Sequence, residues 1–152
     1  VSLTIEIADE QSLQAVDHSR LKKAVREVLK EAGVRSGEIS IAIVADPRMH
    51  ELNRQYLNHD YPTDVLSFVL ERDEAGGTLD GEIVVSADYA AREAKRFDWT
   101  TDDELLLYVI HGCLHLVGHD DQTLEGRSAM RAAETKHLAA LGLAHRYDEL
   151  QS

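Results

Sequence analysis

The spacing of apolar residues switches several times between a period of two and one of about 3.6. The order of strands and helices that results constrains the fold more than any other feature of the chain. Leu3, Ile5 and Ile7 alternate with Thr4 and Glu6, the pattern of a half-buried strand over Leu3–Ala8. From Asp17 to Ala32 the period lengthens: Leu21, Ala24, Val25, Val28, Leu29 and Ala32 recur at helical spacing, and Gly33 supplies a stop. A second strand, rich in β-branched residues, is predicted over Ile39–Ala45. Asp46-Pro47 then caps a short helix carrying Met49, Leu52, Asn53 and Tyr56, with Pro at its first position. Asp64–Leu70 reads as a third strand, Glu71–Thr78 as a charged turn and Gly81–Ser86 as a fourth strand. The short connection makes these last two strands antiparallel neighbours. Three helices follow. One spans Ser86–Phe97; one opens at Thr101, with Glu104 three residues on as a capping box; and one runs from about Thr123 to Leu141, before Gly142. The middle helix is apolar through Leu105, Leu106, Leu107, Val109 and Ile110, reaches His115 and stops near Gly118.

The order β-α-β-α-β-β-α-α-α predicts an α+β fold, a small mixed four-stranded sheet packed against about five helices. A length of 152 residues, 43% of them hydrophobic, suits one domain over 1–152 with one core. Linkers, repeats and low-complexity stretches are absent from the sequence. No apolar run approaches the length of a membrane span. The start, Val1-Ser2-Leu3-Thr4-Ile5, lacks the basic and long apolar regions of a signal peptide. Cys113 is the single cysteine, so no intramolecular disulfide is expected. Together these features point to a cytoplasmic protein with no membrane partner. The net charge of −12 argues against non-specific nucleic-acid binding, which relies on Lys and Arg displacing counterions, and leaves room only for a local basic patch.

Chemistry concentrates in His111-Gly-Cys-Leu-His115-Leu-Val-Gly118-His119-Asp120-Asp121. Two histidines four apart lie one turn apart on one helix face, where their imidazoles can share a metal. Leu114, Leu116 and Val117 would keep that site largely dry. His119 continues the spacing, but on an unbroken helix it would lie about 12 Å along the axis from His111, too far for bonds of about 2.1 Å to one ion. A glycine at 118 ends the helix and turns the chain back, so residues 119 to 121 approach from a loop. The spacing resembles the metzincin signature, which places the third ligand at Asp121 and leaves His119 as the alternative. Where that signature carries a glutamate base, this chain has Gly112, and its third histidine is Asp121. A carboxylate ligand makes the metal a weaker Lewis acid than a third imidazole would. Cys113 sits about 200° around the helix from His111 and reads as a small core residue. Histidines at a helix C-terminus that only complement its dipole are the simpler reading of the pair. The glycine stop and the acidic loop favour the metal.

Four segments carry a wider resemblance. Leu52-Asn53-Arg54-Gln55-Tyr56, Pro62-Thr63-Asp64-Val65-Leu66-Ser67-Phe68, Gly81-Glu82-Ile83-Val84-Val85-Ser86 and His111-Gly-Cys-Leu-His115-Leu-Val-Gly118 occur in this order. They resemble the YbeY family of bacterial endoribonucleases and ribosomal RNA maturation factors. The resemblance implies one α+β domain, one zinc per chain and a cleft beside it. It implies single-stranded RNA as substrate, and a cytoplasmic role in maturing the 3′ end of small-subunit ribosomal RNA and in ribosome quality control. The small ribosomal subunit is thus the implied partner. Carried over by position, the ligands are His111, His115 and Asp121, the last standing where the family usually has His. His119 stands where the family has Tyr. An Arg that the family carries toward the substrate phosphate is Leu57 here; Arg54, one turn earlier on the same helix face, is the candidate substitute, or else a solvated surface residue. Ser67 either orients substrate or a group beside the metal or is a satisfied strand hydroxyl, while Thr63 and Asp64 shape the start of the strand.

Phosphodiester hydrolysis by a zinc site would draw on the metal's effect on the acidity of water and on the polarity of a phosphoryl oxygen. His119 and Asp120, beside the ligand loop, are the candidate proton carriers. Two other functions fit parts of the pattern. A metallopeptidase shares the ligand spacing but needs the base that Gly112 lacks. A non-catalytic ribosome-assembly factor would hold no metal, or a structural one closed by four protein ligands.

Overall fold

In the computed structural model of this chain, residues 2–12, 14–57 and 65–145 are described. They form β1 (Leu3–Asp9), α1 (His18–Glu31), β2 (Gly37–Val44), α2 (Asp46–Leu52), a π-helical turn (Asn53–Leu57), β3 (Val65–Asp73), β4 (Thr78–Ser86), α3 (Ala87–Arg96), α4 (Thr101–Leu116) and α5 (Leu124–Ala140). The four strands make one mixed sheet in the order β1-β2-β4-β3. β1 and β4 both run parallel to β2, and β3 runs antiparallel to β4. The predicted α+β architecture is therefore the observed one, and the third and fourth strands are antiparallel neighbours.

Local chemistry explains most boundaries. Asp17 accepts a hydrogen bond from the Arg20 backbone N–H and caps α1, whose buried face is Leu21, Ala24, Val25, Val28 and Leu29. Three of the departures from the expected boundaries have a visible cause. α2 is preceded by Ala45 as its cap; Asp46 is its first residue and accepts instead from Ser86 Oγ at 2.9 Å. The capping box of α4 is one residue earlier, Thr100 with Asp103, because Glu104 is buried and accepts from Trp99 Nε1 at 2.8 Å. The β3–β4 hairpin is longer than its apolar pattern. Pairing continues through Arg72 with Leu79 and Asp73 with Thr78, which shrinks the turn to 74–77. A register shift between Val69 and Glu71 leaves Leu70 as an extra, exposed residue. Such a bulge inverts the alternation of faces, so a period of two cannot be read across it.

α4 is the pillar of the molecule. Glu104 to Ile110 are all buried, and the helix packs on α1, α3, α5, β3 and β4. A helix that is apolar all round has to be enclosed in this way, and each fully buried Leu or Ile contributes about 1.5–3 kcal/mol. The main core lies between this helical layer and the Ile39, Ile41, Ile43, Ile83 and Val85 face of the sheet. A smaller cluster, Val44, Met49, Leu52, Leu66 and Val84, sits under α2. Among the described residues no helix is long and apolar enough to cross a membrane.

Candidate metal centre

The C-terminal end of α4 sets up the site. Gly118, at φ 106°, takes the left-handed conformation that ends a helix. Its N–H donates to His115 O at 3.1 Å and the His119 N–H donates to Leu114 O at 3.0 Å. These are the two bonds of a Schellman stop, and they turn the chain back toward the helix. Asp121 is thereby brought over the histidine face. His111 Nε2 and His115 Nε2 stand 3.1 Å apart, and Asp121 Oδ2 is 3.5 Å from each.

This triangle fits a small divalent ion. Two ligands bonded to one tetrahedral ion at about 2.1 Å lie about 3.4 Å from each other. The three distances fall around that value, and a point about 2.0 Å from all three atoms exists between them. Two imidazole nitrogens and a carboxylate oxygen are donors that zinc accepts. His111, His115 and Asp121 are the only such group among the described residues. Their side chains are 24%, 28% and 42% exposed, so the site opens to solvent on one side. The largely dry site expected from Leu114, Leu116 and Val117 is corrected here. Leu114 and Leu116 are buried in the core, while the three ligand side chains stay partly exposed.

Two further residues complete the arrangement. Glu134, on α5, accepts from His111 Nδ1 at 2.6 Å through Oε2 and from His145 Nε2 at 2.7 Å through Oε1. Burial pushes the Glu134 carboxyl up, but hydrogen bonds from His111 and His145, and their charges, outweigh it and hold the group down at about 2. Neither residue follows from the motif. The available signal was the stripe Met130, Glu134, Leu138, which puts a carboxylate where a buried helix face calls for an apolar residue. His145 lies past the end of α5 and carried no signal.

The remaining candidates are placed as follows. Asp120 is exposed, and its Oδ1 accepts from the Gln122 backbone N–H at 2.9 Å. His119 lines a cavity with Val28, Glu31, Lys136 and His137, between α1 and α5, and is not one of the metal group. Ser67, half-buried on β3, pairs with Ile83 in register. Arg54 is exposed on the π-helical turn. Thr63 and Asp64 lie outside the described residues, and so does the side chain of Leu57. Cys113 is fully buried and its thiol is pushed up by that burial, as a core residue would be. Gly112 faces the sheet: a Cβ there would stand 2.9 Å from Ile83 Cγ2 and 3.1 Å from Val65 Cγ2. The position of the peptidase base is therefore one where α4 touches β4 and β3, with no room for a glutamate.

A family model described as Endoribonuclease YbeY matches residues 6–142. The chain belongs to the YbeY family. It is 41% identical over 141 residues to the Endoribonuclease YbeY of Carboxydothermus hydrogenoformans, covering 91% of this chain and 97% of that one. Against the Endoribonuclease YbeY of Rhodopirellula baltica it is 42% identical over 113 residues, 73% of this chain and 57% of that longer relative. The solution structure of TM1509 from Thermotoga maritima is similar, with a TM-score of 0.58 and 27% identity over 90% of this chain and 91% of that one. The YbeY match takes in His111, His115, Asp121 and Glu134, whereas His145 lies beyond it.

Proposed function

We propose that this chain is a metal-dependent endoribonuclease that cleaves single-stranded RNA, with zinc held by His111, His115 and Asp121. The small ribosomal subunit is its setting, in 3′ maturation of the ribosomal RNA and in quality control, within the cytoplasm. The observation that carries the reading is the open triangle of three donor atoms, 3.1 to 3.5 Å apart, at the end of a buried helix. YbeY membership supplies the substrate class, since the relatives carry the name endoribonuclease.

A bound zinc would supply an acidified water as nucleophile and polarise a phosphoryl oxygen. The protein's own groups do the rest. His111 and His115 are carried on a rigid core helix, so their spacing is set before any ligand arrives. Asp121 adds a negative charge to the ligand set and is held by the loop that Gly118 turns. Asp120 is exposed one residue away and is our first choice as proton carrier; His119, which lines a separate cavity, is the second. Arg54 is the cation assigned to the substrate phosphate in place of Leu57, and Ser67 the hydroxyl assigned to orienting the substrate.

The competing functions fare less well. Peptide hydrolysis lacks its base, and Gly112 is packed against Ile83 and Val65. A structural metal needs four protein ligands, whereas among the described residues this group has three, each partly exposed.

The test combines metal content with substrate choice. His111→Ala and His115→Ala are expected to lose zinc and cleavage of single-stranded RNA together, with casein left intact by every form. Asp120→Asn keeps the oxygen that Gln122 donates to, so it should retain zinc while losing cleavage. RNA cut at the wild-type rate by a His111→Ala protein shown to be metal-free would overturn the proposal.

A further inference from the structure

Glu134 is 5% exposed, a carboxylate inside a helix face that otherwise buries Met130 and Leu138. An unpaired charge at such a place is strongly destabilising, and an apolar residue would pack there without that cost. Its two oxygens are both engaged, Oε2 with His111 Nδ1 at 2.6 Å and Oε1 with His145 Nε2 at 2.7 Å. An ionised carboxylate only accepts hydrogen bonds, so both histidine nitrogens facing it carry protons. For His111 this assigns the proton to Nδ1. Its Nε2 is then the acceptor atom, and it is the one turned toward His115 and Asp121. His145 is fully buried and binds the far side of the same carboxylate. It ties the segment after α5 into the bridge, so Glu134 is held from two directions.

We infer that Glu134 and His145 form a positioning relay for His111, in which Glu134 fixes the tautomer and ring orientation of the metal ligand and His145 fixes Glu134. The inference rests on the metal reading above and deepens it. Carboxylate partners of ligating histidines raise ligand basicity and restrict ring rotation, and losing one weakens metal binding about 10–100-fold. His145 lies just past the residues that match the YbeY family model, and Glu134 lies within them.

Two measurements test it, on the full chain with Glu134→Ala, Glu134→Gln and His145→Ala. The first is zinc affinity by competition with a chromophoric chelator. The second is the tautomer of His111 in the metal-free protein, read from long-range nitrogen–proton correlations in the imidazole ring above neutral pH. Glu134→Ala should weaken zinc binding by about 10–100-fold and release His111 into a mixture of tautomers. Glu134→Gln still offers a carbonyl oxygen to Nδ1–H, so it should keep the Nδ1–H tautomer and recover most of the affinity. His145→Ala should fall between wild type and Glu134→Ala. Wild-type zinc affinity in either alanine variant overturns the relay, as does an unchanged His111 tautomer in Glu134→Ala. If Glu134→Ala fails to fold, His145→Ala decides the matter by zinc affinity, and loss of the Nδ1–H tautomer in Glu134→Gln would also overturn the relay. A wild-type chain that binds no zinc would instead overturn the metal reading itself, a result distinct from the other two.

Discussion

At position 112 a side chain has no space to occupy. The missing Cβ would stand 2.9 Å from Ile83 Cγ2, inside the closest approach of two carbons, so adding a methyl group forces α4 away from the sheet. Overpacking of this kind costs about 1–3 kcal/mol, offset by about 1 kcal/mol from the better helix propensity of alanine. Gly112→Ala is thus expected to lower unfolding free energy by about 1 kcal/mol, read as a lower urea midpoint at unchanged slope. A midpoint equal to or above wild type would show that the contact relaxes freely. The residues legible from sequence are those whose chemistry is local. His111 and His115 are one turn apart, Gly118 follows within a turn, and Asp121 comes three residues later. Glu134 was not legible because its partners are 23 residues before it and 11 after it, and no spacing rule joins an α5 carboxylate to an α4 histidine.

Among the elements, boundaries were harder to read than existence. The α4 cap shows why. Thr100 and Thr101 each have an acid three residues on, Asp103 and Glu104, so the sequence holds two capping boxes in different registers. Burial of Glu104 against Trp99 chooses between them, and burial is a tertiary fact. The loop between α4 and α5 depends on a similar fact. The first turn of α5 approaches it so closely that a Cβ at Gly126 would stand 2.1 Å from the Asp120 carbonyl oxygen. Backbone lies on both sides of that contact, so neither part can swing aside as a side chain would. Gly126→Ala should displace the loop that carries Asp121 while leaving α4 in place. The expected result is a zinc affinity lowered by more than about tenfold, with the far-ultraviolet circular dichroism of the folded chain preserved. Unchanged affinity would mean that Asp121 does not contribute a ligand atom, or that α5 shifts as a body.

For the whole molecule, the acidic balance has to be reconciled with an RNA substrate. The chain has 28 acidic and 16 Lys plus Arg residues. On the face of the sheet away from α4, Glu6, Ser40 and Glu82 stand in one cross-strand row, all exposed. Such a row repels a phosphate backbone, so the proposed function requires the RNA to be held away from it. Each phosphate neutralised by Lys or Arg on a single strand contributes about −0.7 to the slope of log affinity against log salt. An approach guided by Arg54 and the metal, with few other cations, would give a slope between about 0 and −1.5. Screening of the −12 net charge on adding salt works in the opposite sense and flattens it further. The measurement is binding of a non-cleavable single-stranded RNA analogue to the zinc-loaded chain, by fluorescence anisotropy from about 50 to 300 mM salt. A slope steeper than about −3 would require four or more displaced counterions. It would place the RNA on a basic surface, and the metal triangle with Arg54 would no longer account for how the substrate is held.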